Sequence, residues 1–365
     1  MDFTLPEAAE DLGGLVRTIT EAVCTPERQR ELDGLPQRFD DQLWGKLIEA
    51  DVLSAAAPEA LGGGGYGLIE QAAVLTALGR QLAAVPYLES VVLGAGALAA
   101  FAGEALRREW GAPAVAGQKI LTVALDGDPG EGPVQAAPDG SGRRLTGART
   151  QVAYGPLADA FLVPAETGDG TTVFLVTKDD PGVRVESLHT TGQGSVGRLE
   201  LAGTVVGADR VVGGAEVADW LTTRRTLGLS AYALGVLERA LELTATYARE
   251  REQFDRPIGS FQAVAQRLAD GYIDVTGLRM TLTQAVWRVA EDQPADVDVA
   301  TAAFWAAEAG HRVAHTTVHI HGGVGIDMDH PVHRYFLAAK QTEFALGSAT
   351  GQLLRIGQVL ADNPV

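Results

Sequence analysis

The chain has 365 residues, of which 46% are hydrophobic and 21% charged, so it is long enough for two or three domains of a globular protein. Its 47 acidic residues outnumber its 29 basic ones and give a net charge of −18. This balance argues against nucleic acid and anionic membrane surfaces as partners, because both bind to basic surfaces.

The N-terminal stretch, M-D-F-T-L-P-E-A-A-E-D, is acidic and has no basic segment followed by an apolar one. We therefore predict that it is not a signal peptide. The single cysteine, Cys24, cannot form an internal disulfide, which favours a reducing compartment and a cytoplasmic protein. Cys24 is interpreted as a structural or incidental thiol and not as a nucleophile.

Residues 1–118 are predicted to form an N-terminal helical domain. Apolar residues recur at helical spacing in the segment Leu68–Leu78, and a glycine-rich loop from Pro58 to Gly67 precedes that segment. The most apolar stretch, Val91–Ala102, is only about half as long as a membrane span. It is predicted to be a buried helix.

Residues 119–214 are predicted to form a middle antiparallel β domain. Short alternating runs such as T-V-F-L-V-T and V-R-V-E-S-L are separated there by clusters of Gly, Asp and Pro. Residues 215–365 are predicted to form a C-terminal helical bundle. The order of helices, β domain and long helices indicates an α+β architecture.

Three long helices are predicted in the C-terminal bundle. The first runs from about Val217 to Arg251, and the second follows Pro257. The third begins near an Asp296 or Asp298 N-cap and ends at Gly322-Gly323, because a glycine pair is a typical helix C-cap.

The most specific motif is R-E-Q-F-D-R-P-I-G-S-F-Q, from Arg251 to Gln262. Together with H-G-G-V-G at His321–Gly325 and A-K-Q-T at Ala339–Thr342, it resembles the acyl-CoA dehydrogenase family. Matching segments also occur at Leu43–Ala50 and at Pro181–Val183, so the resemblance spans essentially the whole chain in the right order. The resemblance implies an acyl-CoA dehydrogenase-like fold and α,β-desaturation of a CoA thioester.

The resemblance also implies a set of residues that reach the ADP half of FAD across a subunit interface. An arginine fork suits a pyrophosphate, and paired glycines allow the backbone to approach a ligand closely. Taken alone, Arg251 is better explained as a solvated charge at a helix end, and it is the surrounding motif that favours contact with FAD. The implied FAD contacts are Arg251, Gln253, Phe254, Gln262, Gly322, Gly323 and His319, the last of which replaces a family Gln.

Leu346 occupies the position at which the family carries its catalytic Glu, between the A-K-x-T stretch and Gly347. A leucine cannot accept a proton, so we predict no catalytic residue at this position. Glu343, one helical turn earlier, is a weak alternative base. Some family members place the base on the helix entering the bundle, where Arg225 stands here.

The segments that bind the flavin ring in the family are also altered. A Thr-Glu-Pro-type stretch is replaced by V-A-L-D-G-D-P-G-E-G-P, from Val123 to Pro133. Gln151 stands in place of a family Trp, and Ala153 replaces a hydroxyl residue. These changes predict that the chain lacks its own ring pocket.

His311, His315 and His319 recur every four residues and therefore share one face of a helix. Zinc or iron uses such spacing, but no carboxylate or cysteine follows at the required position. We predict a polar surface or interface there and no metal site.

The residues implied to contact the ADP half of FAD are retained, whereas those that bind the flavin ring are altered. Together these observations predict that the chain is one subunit of a heterotetramer. In this interpretation a related acyl-CoA dehydrogenase subunit holds the flavin ring, the base and most of the acyl-CoA substrate. The chain resembles the base-lacking subunit of actinobacterial α2β2 enzymes that act on steroid side-chain CoA thioesters. A homotetrameric flavoenzyme using Glu343, and a flavin-free scaffold or regulatory protein, remain alternatives, and the sequence does not identify the acyl group.

Overall fold

The computed structural model describes residues 3–128, 130–192 and 194–362. The predicted N-terminal helices are present, and α3 is capped by the Asp40 carboxylate, which accepts a hydrogen bond from the Leu43 amide at 3.1 Å. Within the described ranges the helices before the sheet are α1 (Glu7–Val23), α2 (Pro26–Asp33), α3 (Asp41–Glu49), α4 (Val52–Ala55), α5 (Leu68–Arg80), α6 (Gly96–Phe101), α7 (Glu104–Leu106) and α8 (Ala112–Val115).

The apolar stretch predicted as a buried helix is helical and mostly buried. A π-helical segment, Tyr87–Ala95, runs directly into α6. Among the described residues, no helix combines the length and the hydropathy needed to cross a membrane.

The middle of the chain forms one mixed sheet in the order β6-β7-β3-β2-β4-β5-β8, with β1 paired to β4. The antiparallel prediction holds for most pairs, but β1 and β2 each run parallel to β4. One face packs on a core that includes Leu145, Phe161 and Phe174. The strands are β1 (Leu121–Val123), β2 (Val134–Asp139), β3 (Gly142–Ala153), β4 (Ala160–Thr167), β5 (Gly170–Thr177), β6 (Val183–Leu188), β7 (Val196–Val206) and β8 (Val211–Gly213).

The rest of the chain is helical apart from a small hairpin, so the predicted α+β fold class is confirmed. The hairpin strands are β9 (Glu252–Gln253) and β10 (Arg256–Pro257). The helices are α9 (Ala215–Glu250), α10 (Gln262–Ala290), α11 (Asp296–His321), α12 (Val332–Ala345) and α13 (Ser348–Asp362).

The predicted end of α11 is confirmed, since its C-cap is Gly322 with φ 62°. The predicted N-cap is wrong, because Ala295 holds that position and Asp296 is already helical. Asp298 is instead bound by the end of α10, where Arg288 donates to it at 2.7 Å and Gln284 at 2.6 Å.

Two glycines allow α5 and α9 to cross closely. A Cβ on Gly79 would lie 2.1 Å from the Tyr232 carbonyl oxygen, and one on Gly235 would lie 2.0 Å from the Thr76 carbonyl oxygen. Any larger residue at either position would push the backbones apart. Near this crossing, Arg80 is bound by Glu238 at 2.9 Å and by Glu242 at 2.8 Å.

The chain folds into two compact units, each assembled from segments that are distant in sequence. One comprises Met1–Arg28, Leu68–Ala83 and Thr226–Val365, and the other comprises Gln29–Gly67 and Ala84–Arg225. The sheet begins at Leu121 and ends at Gly213, close to the predicted limits of the β domain. The three-domain division at residues 118 and 214 stays a prediction.

Candidate functional site

The Arg251 motif forms a tight hairpin between α9 and α10. Arg256 pairs with Gln253, and the two residues between them, Phe254 and Asp255, have φ values of 54° and 61°. Two consecutive left-handed residues are the geometry of a type I′ turn. Gly adopts this conformation without steric cost, whereas Phe254 and Asp255 do not.

A pocket of about 290 Å³ lies beside this hairpin. Its walls include two aromatic rings, Phe254 and Phe261, whose centroids are 6.1 Å apart in an edge-to-face arrangement. Phe254 is 85% exposed, and the Arg256 guanidinium lies 4.1 Å from the centre of the Phe261 ring. The pocket is lined by Gln253, Phe254, Ile258, Phe261, Ala263, Val264, Arg267, His319 and Ile320.

Three of the residues predicted from the resemblance therefore meet at one pocket, namely Gln253, Phe254 and His319. Gln262 is the exposed first residue of α10, directly before lining residues of that helix. Arg251 is exposed at the end of α9 and is not among the lining residues. Its role toward a cofactor stays a prediction.

The paired glycines follow His319 at the end of α11. A Cβ placed on either Gly322 or Gly323 would have no other atom within 4 Å, so the backbone there faces open space. A ligand could approach this main chain closely. Two rings, one side-chain amide, an imidazole and the nearby glycine backbone suit the ADP half of FAD, and among the described residues no carboxylate lines the pocket.

The sequence interpretation missed Arg267. This residue lies four positions after Ala263 and three after Val264, which places all three on one face of α10. The helical period of this segment was the signal that could have identified it.

Leu346 is 5% exposed and sits at the C-cap of α12, where its amide donates to the Thr342 carbonyl at 3.0 Å. The next two residues, Gly347 and Ser348, have φ values of 76° and 64° and reverse the chain before α13. The side chain at the expected base position is thus an apolar group packed within its unit.

The alternative base, Glu343, is engaged by other side chains. Lys340 donates to its Oε2 at 2.5 Å, and His311 Nδ1 lies 3.3 Å from its Oε1. The His315 ring lies 4.6 Å from that of His311, and burial, followed by the charges of His311 and Lys340, lowers the pKa of His315. In the described chain, no three potential ligands are placed to hold a metal ion.

Ion pairs hold the stretch from Val123 to Pro133, which replaces a ring-binding segment of the family. Pro129 lies outside the described residues. Arg225 donates to Asp126 at 2.5 Å, so the cation at the alternative base position is held by the altered stretch itself. Glu131 is bound by Arg198 at 3.4 Å and accepts from Thr150 at 3.0 Å.

Arg149 and Gln151 complete this region. Arg149 is 8% exposed, donates to the Gly132 carbonyl at 3.0 Å, and has a pKa lowered by burial. Gln151 is exposed with φ 62°, and Ala153 pairs with Val196 at the end of β3. The polar groups that replace the family's ring-binding segments are used mainly by the protein itself, and they offer a poor fit to a flavin ring.

Two family models match the chain. The acyl-CoA dehydrogenase N-terminal domain matches residues 6–118, and the C-terminal domain matches residues 213–361. Acyl-CoA dehydrogenase FadE27 of Mycobacterium tuberculosis is 72% identical over 372 residues, with 100% of both proteins covered.

Solved structures agree with these matches. A chain in the crystal structure of the ChsE4-ChsE5 complex from Mycobacterium tuberculosis superposes with a TM-score of 0.99 and is 73% identical, with 100% of each chain covered. A chain in a variant of the Tcur3481-Tcur3483 steroid ACAD has a TM-score of 0.92 and 39% identity, covering 98% of this chain and 99% of its own length.

Proposed function

This chain belongs to the acyl-CoA dehydrogenase family, and we propose that it is one subunit of a heteromeric FAD-dependent acyl-CoA dehydrogenase. It completes the FAD site of a related partner subunit and contributes no catalytic base. The observation that carries the proposal is the buried side chain of Leu346 at the expected base position. Proton removal from the substrate needs a carboxylate within hydrogen-bond reach, which leucine does not provide.

The cofactor side of the proposal rests on the pocket beside the hairpin. Bound FAD supplies the hydride acceptor for oxidation of a Cα–Cβ bond. Here, Gln253, Phe254 and His319 line a pocket that suits its ADP half. The ring half would lie in the partner, because Asp126 and Arg225 already engage each other where this chain would need ring contacts.

The first half of α10 supports a protein partner on this side of the molecule. Ala265 and Ala269 are exposed, Tyr272 and Ile273 are 65% and 62% exposed, and the helical period places these four residues on one face of α10. A contiguous exposed surface rich in apolar groups is typical of an interface. The pocket is built partly from the same helix, so a subunit docked on α10 could share a ligand held there.

The relatives guide the choice of partner and substrate. The ChsE4-ChsE5 complex and the Tcur3481-Tcur3483 steroid ACAD each pair two named proteins. We extend this arrangement to the present chain as a heterotetramer with a related subunit, acting on a steroid side-chain CoA thioester. We also assign the assembly to the cytoplasm, following the single cysteine.

Flavin absorbance tests the proposal directly. The chain is purified alone and after co-expression with a related acyl-CoA dehydrogenase subunit from the same organism. We expect flavin absorbance and acyl-CoA oxidation only in the co-expressed complex. Flavin with turnover in the chain alone would establish the homotetramer, and a flavin-free, inactive complex would establish the scaffold.

A Glu343→Gln variant separates a lost base from a relocated one. Glu343 is bound by Lys340 and His311, so we expect the complex to retain its turnover when this carboxylate is removed. Loss of turnover by orders of magnitude, with flavin content unchanged, would identify Glu343 as the base.

A further inference from the structure

Arg267 differs from the two other arginines of α10. Arg279 and Arg288 on the same helix bind Glu238 and Asp298, at 2.8 and 2.7 Å. Within the described ranges Arg267 has neither an ion pair nor a hydrogen bond from its side chain.

The surroundings of Arg267 favour an anion. Ala263 and Val264 form the apolar surface beside it on α10, and His319 also lines the pocket. Among the described residues, no carboxylate is part of the lining. An anionic group placed here would meet a planar fork of donors.

The aromatic walls define the rest of the ligand. Phe254 is 85% exposed at the tip of the hairpin, and the Phe261 ring stands edge-to-face to it. Exposing a phenylalanine ring to water is unfavourable, and a planar group stacked on the ring would cover it. A ligand with both a planar base and a diphosphate matches this pocket, and that combination is an ADP moiety.

We propose that Arg267 binds the diphosphate of the ADP moiety of FAD, in addition to any contact made by Arg251. This inference rests on the proposed function, since it assumes that the complex binds FAD. Coenzyme A also carries an ADP moiety, and the test must separate the two sources. Arg267 is expected to contact the cofactor and not the CoA thioester.

The test is an FAD titration of the deflavinated complex carrying Arg267→Met, which removes the guanidinium and keeps an apolar stem. One charge-assisted hydrogen bond contributes enough for about a tenfold to hundredfold loss of FAD affinity. The FAD affinity of Arg267→Lys should lie between those of Arg267→Met and the wild type, because lysine keeps the positive charge but not the planar fork of donors. Circular dichroism and the size of the complex serve as folding controls.

Arg249→Met is the matched control. Arg249 is exposed near the end of α9, and its guanidinium donates to Thr246 and does not line the pocket. The Arg249→Met variant removes one positive charge from the same region. If Arg267 acts by direct contact, the FAD affinity of this variant should stay within about twofold of the wild-type value. Equal losses in both variants would show a general electrostatic effect and overturn the assignment.

Binding of free coenzyme A to the same variants distinguishes the ligands. We expect the affinity for coenzyme A to be unchanged by Arg267→Met. A loss confined to coenzyme A, or an unchanged affinity for FAD, overturns the inference while leaving the heteromeric function intact. A wild-type complex that takes up no FAD overturns the proposed function instead.

Discussion

Glu89 provides a pH-dependent test of the packing in the unit that contains the sheet. It lies in the first turn of the π-helical segment Tyr87–Ala95. Part of the residue is accessible, but its Oε2 atom is buried and has no hydrogen-bond partner. Burial raises the pKa of Glu89 to about 7 against the opposing effects of a backbone hydrogen bond and the charge of Arg225.

The sign of the effect follows from proton binding. The unfolded chain releases the Glu89 proton near pH 4.5, whereas the folded chain holds it until about pH 7. Between these values the folded state binds more protons, so the free energy of unfolding falls as the pH rises. The difference between the two pKa values corresponds to about 3 kcal/mol in the free energy of unfolding, since one pKa unit is equivalent to about 1.36 kcal/mol.

A Glu89→Gln variant removes the titration and keeps the size of the side chain. We expect it to be more stable than the wild type at pH 8 by up to about 3 kcal/mol, with the advantage shrinking toward pH 4.5. The measurement is the urea midpoint by circular dichroism at several pH values. Any cost of burying the Gln amide is the same at every pH. It therefore cancels when the pH dependence of the two urea midpoints is compared instead of the midpoints themselves.

Glu21→Gln is the matched control, because Glu21 is exposed on α1. This variant should follow the wild type at every pH. The reasoning about Glu89 would be refuted if Glu89→Gln and the wild type gave parallel curves between pH 5 and 8, or if Glu21→Gln gave the same divergence.

Three further predictions concern the hairpin, the cofactor and the missing base. Leu346→Glu should not create an active homo-oligomer, because a base contributes only beside a positioned flavin and thioester; thioester-dependent bleaching of flavin in the single variant would contradict this. Arg251→Ala should weaken FAD binding to the complex about tenfold to hundredfold while the chain stays folded. FAD titration measures the affinity, and circular dichroism is the folding control. An unchanged affinity would show that Arg251 is only a surface charge. Asp255→Gly should raise the free energy of unfolding by about 1 kcal/mol, because glycine has no steric cost at a φ of 61°. Asp255→Ala keeps that steric cost, so it should give no gain when both variants are compared by urea denaturation.

The long C-terminal helices were predictable because they are periodic over many turns. α9 and α11 begin within two residues of the predicted starts, and α11 ends at the expected glycine. The strands β2 and β3 were not predicted. β3 pairs on both sides, yet it carries Arg143, Arg144 and Arg149, so its composition lacks the alternating apolar pattern of an ordinary strand.

Long-range side-chain partners could not be predicted from one sequence. Asp126 and Arg225 are 99 positions apart and are joined only by the fold. Similarly, Glu343 could be suggested as a base from its place near Leu346, but its contact with His311 depends on how α11 packs against α12. The motif located the pocket, whereas the packing of the chain decides which side chains are free to bind a ligand.

The hairpin pocket gathers several features that are unfavourable in the isolated chain. Phe254 and Asp255 adopt left-handed conformations that cost non-glycine residues about 1–2 kcal/mol each. Phe254 is also 85% exposed, and Arg267 has no counter-charge in the described chain. At the altered ring-side stretch, by contrast, Asp126 and Arg225 satisfy each other. An anionic, planar ligand docked at this pocket would cover the exposed ring and pair the cation, whereas the left-handed turn would stay strained. We infer that this strain is retained because the turn holds Phe254 at the pocket.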